Sequence, residues 1–441
     1  MRYADALAYL DRHVNLEASA AVAGRVEGLS LERIERLLAV LGDPHLAAPA
    51  IHITGTNGKG SVARSVTELL VAQGLEVGTY TSPHLEAVNE RIARDGRPIG
   101  DDELAQVMAE LEAVEPLCGV EPSYFELLTA AAFAWFAEIA VDVVVVEVGL
   151  LGRWDATNVV DGRVAVITNI GADHTDFGEG WREAVAREKA GIIKQGSVVV
   201  VGETDPALVR IFAETVDLAG GELVSLGHQI EVLDERVAVG GRLLSLRTPY
   251  AAYDDLYLPL AGTHQSTNAL LALAAAEGFF GRALEREVVD EAFARTTVPG
   301  RLEVMGRHPL VIIDGAHNPD GATALARSLD EFVVDGRRTV VLGMLAGRDP
   351  RRLLQALDLA GFDRIVATTA PSPRGLPARD LAGTISELGV VSEVVDDPLD
   401  AIRSAVDRAA ADDLVVVTGS LYLAGLARGA ARGLVGGSGS P

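Results

Sequence analysis

Cysteine is nearly absent: Cys118 stands alone among 441 residues, which excludes an internal disulfide framework. A lone cysteine among apolar neighbours reads as a small buried hydrophobe, and its isolation suits a reducing cytoplasm. Positive charge is also in short supply. Lysine and arginine number 38 against 63 aspartates and glutamates, a net charge of −25, which argues against generic binding to nucleic acid or an anionic membrane. Any anionic ligand therefore has to be met by a local positive site. Apolar runs long enough to span a bilayer are missing as well, and Met1-Arg-Tyr-Ala-Asp-Ala-Leu7 lacks the apolar h-region of an export signal. The expectation is a soluble, cytoplasmic monomer of two domains, since the chain is too long for one ordinary core.

What the sequence does contain is a glycine loop in a telling place. Thr54-Gly-Thr-Asn-Gly-Lys-Gly-Ser61 follows the apolar run 50–53 and leads into a helical pattern from Val62, so it reads as strand, loop and helix. Gly55, Gly58 and Gly60 allow positive φ and close backbone approach, so that the N–H groups around Thr56 and Asn57 can face an anion at a helix N-terminus. Lys59 is placed to neutralise β/γ-phosphates, and the Ser61 hydroxyl to reach a Mg²⁺ that bridges them. The spacing departs from the ordinary Gly-x-x-x-x-Gly-Lys-Ser/Thr loop: Ile53 occupies the first glycine position and Gly60 separates Lys59 from Ser61.

Around this loop, strands and helices alternate. Amphipathic helices are predicted over residues 3–16 and 30–41, a helix over 62–73, a strand over 76–80, helices over 101–115 and 125–140, and β-branched strands over 141–148, 164–169 and 197–202. Residues 231–260 change to short alternating runs broken at Asp234 and Gly240-Gly241, the pattern of antiparallel hairpins. Two helices, over 266–279 and 285–294, precede the Pro-Gly breaker at 299–300. A second alternation then supplies strands over 310–313, 339–342, 364–368, 390–395 and 414–418. The expected fold class is α/β: a P-loop-type, mostly parallel sheet domain with helices on both faces (1–298), a smaller Rossmann-like α/β domain (299–432), and a disordered glycine- and serine-rich tail (433–441).

In open α/β sheets ligands bind beyond the carboxyl ends of strands, and several polar clusters lie there. They are the glycine loop itself, Thr81-Ser-Pro-His-Leu85 with Glu90-Arg91-Ile92, Glu147 with the run to Asp155-Ala-Thr-Asn158, and Thr168-Asn-Ile-Gly-Ala-Asp-His174. Glu147 ends a buried strand, where a carboxylate needs a metal or another cation. With Arg187–Ile192, Gly262–Asn268, Pro299-Gly-Arg301, Asp314-Gly-Ala-His-Asn318 and Thr418–Tyr422, this ordered set resembles the folylpolyglutamate synthase/dihydrofolate synthase family, a branch of the Mur-type ATP-dependent amide ligases. The resemblance spans roughly residues 30 to 430.

That resemblance implies a reaction and a set of roles. The γ-phosphoryl of ATP passes to a pteroate or folate carboxylate, and the amine of L-glutamate attacks the acyl phosphate. Lys59, His174, Lys189 and Arg301 would carry catalysis. Mg²⁺ would sit on Ser82, Glu147 and His174, with Ser61 reaching it from the loop. Asn268 would lie near adenine, Arg301 at the phosphates, and Asp314 and His317 against the nucleotide. Ser82, Pro83, His84, Phe125 and Asp155 would surround dihydropteroate. Lys189 would be modified by CO₂ to a carbamate that orients a second Mg²⁺, which requires a partly buried lysine near other cations. Two departures stand out: Leu151 where the family usually has glycine, and Gly347-Arg348 in place of an Asp-Lys pair. The alternatives are a Mur-type peptidoglycan ligase, for which the roughly 50 residues before the loop leave no separate UDP-sugar domain, and a catalytically inactive nucleotide sensor.

Overall fold

A computed structural model describes residues 1–15, 30–173 and 178–436. The valine runs fold as anticipated for strands covered on both faces. The first eight strands are β1 (Ala50–Thr54), β2 (Val77–Tyr80), β3 (Ile92–Arg94), β4 (Arg97–Pro98), β5 (Val143–Glu147), β6 (Gly162–Ile167), β7 (Val198–Val201) and β8 (Glu222–Ser225). They form one sheet in the order β4-β3-β2-β5-β1-β6-β7-β8. Pairing is parallel from β2 to β8, and only β3 and β4 add antiparallel strands at one edge.

Register fixes which residues share a face, because side chains alternate along a strand. Ala50 pairs with Val144, and His52 with Val146 and Ala165. This face is covered by helices Tyr3–Leu10, Glu32–Val40, Asp101–Cys118 and Tyr124–Glu138 over β2, β5 and β1, and by Trp181–Lys189 and Pro206–Ala219 over β6 and β7. Ile51, Ile53, Val145, Val164 and Val166 point the other way and are fully buried under helices Lys59–Ala72 and His264–Phe280. Because β1 lies between β5 and β6, the carboxyl ends carrying Thr54, Glu147 and Thr168 lie side by side.

Several element ends differ from expectation. The first helix stops at Leu10, where the chain turns and His13 meets the Tyr9 carbonyl at 3.0 Å and Glu115 at 2.9 Å; the rest of its predicted span, at Leu16, lies outside the described residues. The loop helix starts at Lys59 rather than Val62, since Gly58 at φ +84° already caps it. The antiparallel part is a three-stranded meander of β9 (Glu231–Ala238), β10 (Gly241–Arg247) and β11 (Ala252–Leu258). Asp234 does not break β9: it pairs with Ser245, and the register shift beside it leaves Leu233 as the extra residue of a bulge.

The structure divides into two compact units, the first running to Thr297 without Ala261–Thr263, which group with the second unit from Val298 onward. The second unit holds β12 (Glu303–Arg307), β13 (Leu310–Ile313), β14 (Arg338–Leu342), β15 (Arg364–Ala367), β16 (Glu393–Val394) and β17 (Leu414–Thr418), in the order β12-β13-β17-β14-β15-β16. Only β12, unforeseen in the sequence, is antiparallel. One face packs Ile312, Val340, Leu342 and Val416, the other Ile313, Val341, Val415 and Val417. The final helix, Leu421–Gly436, continues into the tail expected to be disordered from residue 433; residues 437–441 lie outside the description.

Candidate functional site

The glycine loop is held from below by the strand beside it. Asn169, just past β6, accepts the N–H of Asn57 at 2.9 Å and of Thr56 at 3.2 Å through its side-chain oxygen, and its own carbonyl accepts Thr56 N–H at 3.0 Å. Thr168 donates its hydroxyl to the Asn57 carbonyl at 2.6 Å. These bonds explain the glycines. Gly55 has φ +148°, and a Cβ there would lie 1.8 Å from the Thr168 hydroxyl; a Cβ on Gly58 would lie 2.5 Å from the Asn268 amide oxygen. Val62 N–H is bonded to the Gly58 carbonyl, so the N–H groups of Lys59, Gly60 and Ser61 precede the helical ladder and face the loop's concavity. Lys59 folds back, its ammonium 3.4 Å from the Thr56 carbonyl. The arrangement is an anion cradle with a cation at its rim.

Glu147 ends β5 with 5% exposure, and its carboxylate lies 3.5 Å from where a Cβ on Gly60 would be. It also accepts Ser82 N–H at 3.2 Å. Ser61 is buried in the first turn of the same helix. Hydroxyl and carboxylate oxygens so placed are the hard donors Mg²⁺ takes, so the residues fit that ion. Among the described residues no group of three or more His, Cys, Asp or Glu gathers as a metal cluster, here or elsewhere. His174, assigned to the same ion by resemblance, lies outside the described residues.

Lys189 is 4% exposed, and its ammonium donates to the Gly55 carbonyl at 2.8 Å. Burial, followed by the nearby Lys59 cation, lowers its pKa to about 7; Asp173 and Asp155 act in the opposite direction. The turn carrying it is pressed against the 149–153 loop. A Cβ on Gly152 would meet the Glu188 carbonyl at 2.9 Å, and one on Gly191 would meet the Arg153 Cβ at 2.5 Å.

The residues assigned to pteroate flank this loop. Phe125 is half-buried over Gly149, where an added Cβ would lie 2.5 Å from its ring, and its ring centroid is 5.9 Å from that of Tyr80. Asp155 has its oxygens engaged within its own loop: one accepts Leu150 N–H at 2.7 Å, the other Thr157 N–H at 3.0 Å and the Thr157 hydroxyl at 2.5 Å. Burial, the largest influence, raises its pKa despite these bonds. Leu151 holds φ +59°, a left-handed conformation that explains why glycine suits this place. The Ser82-Pro83-His84 turn is shaped by Glu90, whose carboxylate accepts the N–H groups of Leu85, Glu86 and Ala87 at 2.9–3.1 Å. His84 Nδ1 accepts from the buried Arg91 at 2.9 Å. Glu90, Arg91 and Asn169 were all legible as motif members, but nothing in their spacing announced that they hold the neighbouring loops.

In the second unit, β13, β17 and β14 end side by side. Asp314 accepts Leu302 N–H at 2.9 Å and Ala316 N–H at 2.7 Å, which clasps the Arg301 turn to the loop after β13. Arg301 donates to the Gly300 carbonyl at 3.3 Å rather than to a carboxylate among the described residues. Its guanidinium lies over Gly315, where a Cβ would be 2.2 Å away. His317 Nδ1 meets the Gly315 carbonyl at 2.8 Å, and Arg348, from the departing Gly347-Arg348 pair, donates to the His317 carbonyl at 3.0 Å.

Residues 53–276 match the Mur ligase middle domain, and residues 300–421 match the Mur ligase glutamate ligase domain. A Mycobacterium tuberculosis protein named dihydrofolate synthase/folylpolyglutamate synthase is 43% identical over 440 residues, covering 90% of this chain and 89% of its own. The structure of Mycobacterium tuberculosis folylpolyglutamate synthase complexed with ADP superposes with a TM-score of 0.90 at 40% identity, covering 97% of this chain and 98% of that one. A bifunctional folylpolyglutamate synthase/dihydrofolate synthase from Yersinia pestis, complexed with AMPPNP and Mn ion, gives a TM-score of 0.83 at 31% identity over 98% of each chain. Both Mur ligase domains are present in order, and the matched ranges include the glycine loop from Thr54, Glu147 and Asp314: the chain belongs to the folylpolyglutamate synthase/dihydrofolate synthase family of ATP-dependent glutamate ligases.

Proposed function

We propose that this protein joins the amine of L-glutamate to a carboxylate of dihydropteroate, or to the growing glutamate chain of a reduced folate, with ATP as the energy source. The observation that carries this reading is the phosphate cradle at 54–61 set directly beside the buried carboxylate of Glu147. A substrate carboxylate oxygen takes the γ-phosphoryl group and ADP leaves. The glutamate amine then attacks the acyl carbon, loses a proton, and expels phosphate as the amide forms. No side-chain nucleophile is needed, so the protein's contribution is positioning and stabilisation of phosphoryl charge.

The loop N–H groups and Lys59 hold the phosphates, with Asn268 near the base. Arg301, Asp314 and His317 are assigned to the nucleotide on the family resemblance. Ser82, Pro83, His84, Phe125 and Asp155 are assigned to the pteroate, with Asp155 chiefly shaping the 150–157 loop. Ser61, Ser82 and Glu147, together with His174, would hold Mg²⁺, which when bound neutralises charge on the β/γ-phosphates. Lys189 is assigned to take up CO₂: its neutral amine adds to the carbon, releases a proton and becomes a carbamate anion suited to a second Mg²⁺. Its remaining N–H can keep the bond to the Gly55 carbonyl.

The active unit is assigned to one chain. Cys118, buried and free, suits a reducing compartment such as the cytoplasm. No helix among the described residues is long and apolar enough to cross a membrane. Glutamate-dependent release of ADP, measured separately with dihydropteroate and with tetrahydrofolate, tests the reading. Release with neither substrate overturns it, and product mass identifies which carboxylate is extended.

A further inference from the structure

Arg242 on β10 is among the largest fully buried side chains, at 1% exposure, and it lies in a small edge meander rather than in a main core. A buried guanidinium needs a paired anion. Its partner is Glu235 on β9, with Nη2 and Oε2 3.4 Å apart. The same Glu235 oxygen accepts a short hydrogen bond from the hydroxyl of Ser266, a buried residue in the first turn of helix His264–Phe280. That helix has no acidic residue of its own in its first turn. Glu235 therefore brings a carboxylate to a helix N-terminus, where negative charge is favoured, from 31 residues earlier in the chain. Arg242 balances the charge, so the turn is anchored without leaving an uncompensated anion close to a phosphate loop.

The anchored turn is the one that meets that loop. Gln265 accepts from the Asn268 amide at 2.9 Å, and the Asn268 oxygen is what a Cβ on Gly58 would strike. The meander grips the helix a second time further along: Tyr253 on β11 meets the Glu277 carboxylate at 2.6 Å and the Leu284 carbonyl at 2.8 Å. Two polar anchors, one in the first turn and one more than ten residues on, fix both the rotation and the axial position of the helix.

We infer that the β9–β11 meander, through Arg242, Glu235 and Ser266, sets the position of Asn268 against the glycine loop, so that Glu235 and Arg242 are positioning residues for nucleotide binding. The inference rests on the assignment of Asn268 to the nucleotide. Ser266→Ala deletes one hydroxyl and keeps the helix, whereas Arg242→Met risks the fold, so the first is the working variant. In the full chain, binding of the non-hydrolysable ATP analogue AMPPNP should weaken about 10-fold in Ser266→Ala, with dihydropteroate affinity unchanged. Ser266→Ala/Asn268→Ala should bind AMPPNP no more weakly than Asn268→Ala alone, because the hydroxyl acts through Asn268. If Asn268→Ala retains wild-type AMPPNP affinity, the assignment of Asn268 fails and the inference with it. If Asn268→Ala weakens binding but Ser266→Ala does not, or the two effects multiply, Asn268 keeps its role and the positioning by the meander is overturned.

Discussion

The ammonium of Lys189 lies 2.8 Å from the carbonyl oxygen of Gly55, so a buried lysine is tied directly to the backbone of the glycine loop. Burial lowers its pKa to about 7, which brings the neutral amine, the form that can react with CO₂, within reach of neutral pH.

Lys189 should leave a mark on both stability and activity. Below pH 7 the folded chain carries this buried charge at full desolvation cost. As pH rises from about 7 toward the ordinary 10.5, the unfolded chain still binds a proton that the folded chain has released, so this group makes stability increase with pH. Lys189→Met should flatten that increment in melting curves between pH 7 and 9. Lys189→Ala should lower kcat by about 10²-fold or more, with partial rescue by acetate. ¹³C-bicarbonate should give a carbamate signal in the wild type and none in the variant; full activity of Lys189→Ala rejects the modification.

Lys59→Ala removes the cation that folds over the loop, and kcat/KM should fall by about 10³-fold, close to 4 kcal/mol of transition-state stabilisation, with circular dichroism unchanged. Near-wild-type turnover would remove Lys59 from the phosphoryl-transfer machinery.

Gly58 and Gly74 separate strain from collision. Both hold positive φ, +84° and +88°, but a Cβ on Gly74 meets nothing within 4 Å, whereas one on Gly58 meets Asn268 at 2.5 Å. Gly74→Ala should cost about 1 kcal/mol of stability and leave ATP affinity alone. Gly58→Ala should weaken ATP binding at least about 10-fold by calorimetry. Equal ATP affinities in the two variants would show that Asn268 does not crowd the loop.

Leu151 offers a test with an unusual sign. Because it sits at φ +59°, Leu151→Gly relieves backbone strain that Leu151→Ala retains, while both lose the packing of the leucine. Leu151→Gly should therefore be the more stable of the two by about 1 kcal/mol, the reverse of the usual Ala–Gly order in ordinary backbone. The KM for pteroate should change in both and the KM for ATP in neither. A pteroate KM equal to wild type in both variants would make this departure from the family silent.

The valine runs and glycine loop declared themselves in the sequence because strand burial and phosphate cradling each demand a narrow set of residue types over a few consecutive positions. What holds the loop did not. Asn169 reaches Asn57 across 112 residues, and Glu203 reaches Ile170 across 33, distances over which local pattern carries no signal. Strand β11 fell within the hairpins expected over 231–260 but without bounds of its own, because exposed Asp254 and Asp255 adjoin at its centre, where the register shifts and Asp255 takes a positive φ of 52°, so the alternation is broken. Leu151 was visible as a departure, yet its left-handed backbone is a property of the loop that the residue's identity conceals.

The absent side chains of Gly152 and Gly191 have a mechanical consequence. Each lets its segment rest on the other with backbone and Cβ atoms within about one van der Waals contact, so the 149–153 loop and the 188–191 turn interlock like meshed teeth. A shift of the 149–153 loop would carry Lys189 along, and through it the Gly55 carbonyl, as a single moving part.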